Sequence, residues 1–149
     1  MEINGIAHVM LTVSDFEKCR PFYARILEYM GLKPVIDMDG WLYCVGGRTA
    51  LGIMRADPAH AAERFVQFRV GLHHVCFRAR SREDVDSIYE FLRARSVKIV
   101  RPPSEGSWAP GYYSLLFEDP EGIRLEVNFV PGKGHLENPQ RLPLSRLPE

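Results

Sequence analysis

The sequence has no surplus charge of either sign: 19 Lys and Arg balance 19 Asp and Glu over 149 residues. Without a basic excess there is no global pull on phosphates, which leaves nucleic acid out of the expected partners. It also has no apolar run near the ~20 residues that cross a bilayer. The opening stretch MEINGIAHVM lacks the basic-then-apolar order of a secretory leader. Neither a membrane partner nor export is therefore expected. Cysteine is scarce, with only Cys19, Cys44 and Cys76 and no CxxC pair. An odd, scattered set builds no disulfide framework and suits a reducing, cytoplasmic setting. With 46% hydrophobic and 26% charged residues, the chain can bury an ordinary globular core.

What the chain does have is an internal repeat. GIAHVMLTV at 5–13 aligns with GLHHVCFRA at 71–79, placing Gly5 on Gly71, His8 on His74 and Val9 on Val75. The same offset carries Phe22-Tyr23 onto Ile88-Tyr89. The expected organisation is a first module at 4–56, a linker at 57–70, a second module at 71–130 and an extended tail at 131–149. Each module opens on an alternating strand followed by a helix. The first helix should start near Ser14-Asp15, end before Gly31 and bury Phe22, Ile26, Tyr29 and Met30. The second is marked by the capping pair Ser81 and Asp84 and the stripe Val85, Ile88, Tyr89, Leu92. Strand-like runs follow at 41–45 and 49–54, then at 98–100, 112–117 and 123–129. The linker contains a helix-prone stretch at 58–68.

Strand parity shows which residues share a face. Ala7, Val9, Leu11 and Val13 form an apolar face; Val75, Phe77 and Ala79 do the same, as do Ile123, Leu125, Val127 and Phe129. His8, His74 and Glu126 fall on the opposite faces, away from the helices. Two imidazoles and a carboxylate are a ligand set for Fe(II), Mn, Zn, Co or Ni that leaves coordination positions open. One divalent metal ion per chain is expected, with Glu126 as ligand and catalytic residue. Trp41 and Tyr43 share a parity and can form an aromatic wall. Cys76 follows His74 on its own face, and Tyr113 and Arg124 are further candidate substrate contacts. The bland alternatives are core packing for the aromatics, a pocket-wall role for Cys76, a surface tyrosine and a cross-strand ion pair. His73, His60 and His135 read as strand-start, linker and tail residues.

The repeat, HVML at 8–11, HVCF at 74–77 and EDPEGIRLEV at 118–127 resemble the vicinal oxygen chelate superfamily. It includes glyoxalases, epimerases, thiol transferases, extradiol dioxygenases and bleomycin-resistance proteins. The resemblance implies an α+β fold: two βαβββ modules forming a curved, barrel-like mixed sheet with the helices outside. It implies a homodimer, and a small oxygen-bearing substrate whose oxyanion or enolate a metal stabilises, in glyoxalase, isomerase or lyase chemistry. A thiol transferase, a dioxygenase or a metal-free binder that sequesters an antibiotic are the alternatives. The family's fourth ligand position falls on Gly52, which has no side chain to offer; Gly52→Glu should then add a carboxylate beside the metal. The absence of His at 107–109 and the presence of Leu116 where a Tyr is expected speak against ring cleavage.

Overall fold

The computed structural model describes residues 1, 3 and 5–134. Most of the expected tail, and His135 with it, lies outside the described residues. The chain divides into two compact units, Met1–Val66 with Pro120–Gly122, and Gln67–Asp119 with the chain from Ile123 on.

In the first unit β1 (His8–Val13) leads into α1 (Phe16–Tyr29), followed by β2 (Lys33–Met38), β3 (Trp41–Gly46) and β4 (Thr49–Arg55). The sheet order is β1-β4-β3-β2, with β1 and β4 parallel and the other pairs antiparallel. In the second unit β5 (Val75–Arg78), α2 (Arg82–Arg93), β6 (Ile99–Glu105), β7 (Tyr113–Glu118) and β8 (Arg124–Phe129) repeat the plan in the order β5-β8-β7-β6. The fold is α+β, two open four-stranded mixed sheets, each with one helix. Among the described residues no helix is long and apolar enough to cross a membrane.

Helix packing decides which face of each sheet is dry. α1 starts at Asp15, whose side chain accepts from Lys18 N at 3.1 Å. It buries Phe16, Cys19, Tyr23, Ile26 and Leu27. That stripe corrects the expected one: Tyr29 is exposed and Tyr23, not Phe22, points inward. Beneath it Val13, Leu42, Cys44, Leu51 and Ile53 are buried. α2 begins at Ser81, whose Oγ accepts from Asp84 N at 3.1 Å, and buries Val85, Ile88 and Leu92 against Leu115, Phe117, Leu125 and Val127. Ser81→Ala removes this cap and is expected to cost about 1 kcal/mol, seen as a melting temperature lower by about 2–4 °C. An unchanged melting curve would mean that the freed N–H finds another acceptor.

Two other expectations need revision. The stretch at 58–68 forms only the short 3-10 turn Pro58–His60, started by Asp57 accepting from Ala59 N. A helix there would bury no apolar stripe, since Pro58–Arg64 are all exposed, and local propensity alone does not hold a short helix in water. β2 was not foreseen. It is an outer strand, nearly all exposed, carrying Pro34 at a register shift where an edge tolerates proline.

Candidate metal and substrate site

The registers of the two units match. Met10 pairs with Gly52, which pairs with Tyr43; Cys76 pairs with Glu126, which pairs with Leu116. Gly52 is thus the structural counterpart of Glu126, in keeping with the family's fourth ligand position falling on it. On the faces turned from the helices the two units differ in chemistry. The first presents Met10, Trp41, Tyr43, Val45 and Met54; the second presents Cys76, Arg101, Ser114, Glu126 and Asn128.

Glu126 organises the second unit's open face. The residue is only 8% exposed, so its charge needs partners. Tyr112 Oη donates to Oε1 at 2.6 Å, and Arg101 Nη2 lies 3.5 Å from the same oxygen. Arg101 is itself held by Ser104 Oγ and Ser114 Oγ, each at 2.7 Å. The other oxygen, Oε2, faces His74 Nε2 at 3.3 Å. Burial first, then the hydrogen bond to Glu126, pushes the Tyr112 phenol well above its usual range. Burial of the sulfur and the Glu126 charge push the Cys76 thiol up to about 12. Cys76 is therefore protonated at neutral pH and is no thiolate nucleophile there. Sequence reading missed Tyr112 and Arg101; Tyr112 lies one residue ahead of β7, and Arg101 sits on an outer strand next to two prolines.

His8 occupies the first position of β1 in the first unit, its ring edge-on to Tyr43 at 6.1 Å. Trp41 and Tyr43 are half-buried on one face of β3, and the Trp41 indole Nε1 is buried with no hydrogen-bond partner among the described residues. Arg124 pairs across the ladder with Glu118 at 3.0 Å, an ion pair that Lys98 joins from 2.7 Å. Tyr113 turns toward α2, donating to Asp86 at 2.7 Å under the Arg82 guanidinium. His60 is an exposed partner of Glu63.

The donor chemistry of His74 and Glu126 can be tested against a divalent ion. Two ligands with bonds near 2.1 Å sit about 3.0–3.4 Å apart around one ion, and the gap from Nε2 to Oε2 is 3.3 Å. The pair fits. Among the described residues no group of three or more His, Cys, Asp or Glu side chains is gathered around one point. The fourth position needs correction: a Cβ on Gly52 would meet Met10 Sδ at 2.6 Å, Met10 Cε at 2.8 Å and Leu42 O at 2.9 Å. A carboxylate introduced there has no room beside the strand, so Gly52→Glu would not simply add a ligand.

Against this geometry, the sequence profile of the Glyoxalase/Bleomycin resistance protein/Dioxygenase superfamily matches residues 5–127. The chain belongs to that superfamily. A relative from Bacillus subtilis, "Uncharacterized protein YqjT", is 31% identical over 123 residues, spanning 80% of this chain and 94% of its own. A solved superfamily structure from Bacillus halodurans, carrying a provisional glyoxalase name, is 25% identical with a TM-score of 0.76, covering 85% of this chain and 96% of that one. Lactoylglutathione lyase from Agrobacterium tumefaciens shares the superfamily fold at 24% identity and a TM-score of 0.65, over 86% and 95% of the two chains.

Proposed function

We propose that the protein is a divalent-metal-dependent enzyme acting on a small oxygen-bearing substrate, in lyase or isomerase chemistry next to a carbonyl. The observation that carries this reading is the 3.3 Å separation of His74 Nε2 and Glu126 Oε2, with the second Glu126 oxygen already occupied. His74 and Glu126 would hold the ion. His8 is proposed as the third ligand because it occupies in the first repeat the place of His74 in the second. When bound, a divalent ion supplies Lewis acidity toward an oxyanion or enolate.

The chain's own groups divide the remaining work. Tyr112 and Arg101 fix Oε1 of Glu126, so that Oε2 is the free ligand atom; hydrogen bonds of this kind hold a ligand's orientation. Arg101 keeps a positive charge beside Glu126, where a substrate oxygen that gains charge would meet it. Cys76 adds a neutral wall next to Glu126. Trp41 and Tyr43 are proposed as apolar substrate contacts, and Arg124 as a polar one once released from Glu118. Among the described residues each sheet ends in strands without a partner inside its own unit, and such edges favour burial in an assembly. A cytoplasmic homodimer is part of the proposal, and sedimentation velocity over a range of concentrations would reveal it.

Elemental analysis of protein purified without chelator tests the central point. One metal per chain is expected, and His8→Ala and His74→Ala should each abolish it while the circular dichroism spectrum stays native. A metal-free wild type that binds a flat organic ligand tightly would replace the enzyme with a sequestering protein. Loss of metal in His74→Ala but not in His8→Ala would remove His8 from the ligand set.

A further inference from the structure

Three side chains of the second unit form one line of hydrogen bonds that ends beside Glu126. Gln67 Nε2 lies 3.0 Å from His73 Nε2, His73 Nδ1 lies 2.7 Å from His74 Nδ1, and His74 Nε2 lies 3.3 Å from Glu126 Oε2. An amide nitrogen can only donate, so His73 Nε2 accepts and the His73 proton sits on Nδ1. Two Nδ1 atoms in contact need one proton between them. His73 therefore donates and His74 Nδ1 accepts. That leaves the His74 proton on Nε2, the atom that faces Glu126. The rings are held for this: His73 packs edge-on against Phe68 at 5.5 Å and against His74 at 5.0 Å.

In this arrangement Nε2 of His74 carries a proton and has no lone pair to give. The line can run the other way only if His74 Nδ1 donates to His73 Nδ1 and His73 Nε2 then donates outward. An acceptor is needed at the far end. Gln67 can supply one by turning its amide over, placing Oε1 where Nε2 now stands.

We propose that His73 and Gln67 are positioning residues that decide which nitrogen of His74 carries its proton. The Gln67 amide is the two-way end of the line. With its NH2 toward His73, His74 Nε2 keeps its proton; with its oxygen toward His73, His74 Nε2 is open to a metal ion. This rests on the reading of His74 and Glu126 as ligands. The reversal balances: the Nδ1 proton of His73 passes to His74 Nδ1, the Nε2 proton of His74 leaves to water, and water returns one to His73 Nε2. No net charge changes. Partners that set a ligating histidine's tautomer commonly alter metal affinity by about 10–100-fold.

Co2+ titrated into the metal-free full chain is the probe. Glutamate at 67 can only accept and lysine can only donate. Gln67→Glu is expected to tighten Co2+ binding about 10-fold and Gln67→Lys to weaken it about 10-fold. Both changes also act through space by their charge, so each is repeated with His73→Leu, which cuts the line and leaves the charge. The contrast between Glu and Lys should largely collapse in that background; an equal contrast in both backgrounds overturns the proposal. Nitrogen-15 NMR of the metal-free wild type gives a second reading. His74 is expected as the Nε2–H form, with the preference lost in His73→Leu. An Nδ1–H form in the wild type, or a preference that survives His73→Leu, overturns the proposal. If the wild type binds no Co2+, the ligand reading fails, while the NMR result still decides whether His73 sets the His74 proton.

Discussion

Glu126→Gln is expected to lower metal affinity by at least about 100-fold, with turnover falling in step, while the metal-free protein keeps its fold. The amide has nearly the carboxylate's shape, and its oxygen can still accept from Tyr112, so the buried hydroxyl stays satisfied. What disappears is the anion. Arg101 then loses a charge partner 3.5 Å away, although Ser104 and Ser114 still hold it in place. Glu126→Ala should be worse for stability, because it strands a buried tyrosine hydroxyl at a cost of about 1–3 kcal/mol. A second readout needs no metal. The Cys76 thiol, pushed up to about 12 by burial and then by the Glu126 charge, should fall toward the ordinary thiol range in Glu126→Gln. Burial persists, so it should remain above that range. Maleimide labelling of Cys76 between about pH 8 and 10, followed by peptide mass spectrometry, would show faster reaction in the variant. Unchanged metal content in Glu126→Gln would end the ligand assignment; unchanged labelling would mean that burial alone raises the thiol.

Gly52→Ala is expected to destabilise the protein by about 1–3 kcal/mol, the usual cost of forcing atoms into a filled space. Its added methyl would stand 2.6 Å from Met10 Sδ and 2.9 Å from the Leu42 carbonyl oxygen. The methionine end can swing aside because its side chain is unbranched. The carbonyl cannot, since it belongs to the adjacent strand β3. Pairing the change with Met10→Ala should therefore recover only part of the loss in thermal melting. Full recovery would show that the thioether alone enforces glycine here, and no loss in the single variant would show that the strands separate easily. Gly52→Glu carries the same obstruction plus a charge, so it should melt lower still.

The parts that could be read from the amino-acid sequence are those in which periodicity carried the signal. Val9, Leu11 and Val13 alternate with His8, Met10 and Thr12, and the burial of β1 follows that alternation. The Ser81 cap and the equivalence of Gly52 with Glu126 were legible for the same reason: each is a local pattern or a repeat of one. What was not legible depends on neighbours distant in sequence. β2 is exposed along nearly its whole length, so no apolar alternation announces it. Arg101 lies in β6, which runs on through Pro102 and Pro103 because an outer strand needs fewer donors. Tyr112 gains its meaning only when β7 folds beside β8 and brings its hydroxyl to Glu126. The face of α1 failed for a related reason: two adjacent aromatics, Phe22 and Tyr23, leave the direction of the core ambiguous by about 100°.

The parallel pairing of each unit's first strand with its last has a consequence for how the chain is born. On the ribosome, β1 emerges early but has no partner until β4 follows, and β4 is also the strand that joins β1 to β3. At about 5–20 residues per second this leaves β1 an open edge for several seconds. The second unit repeats the delay, since β5 waits for β8, the last of that sheet's four strands along the chain. Glu126 rides on β8, so the candidate ligand pair comes into being only as the final strand closes its sheet.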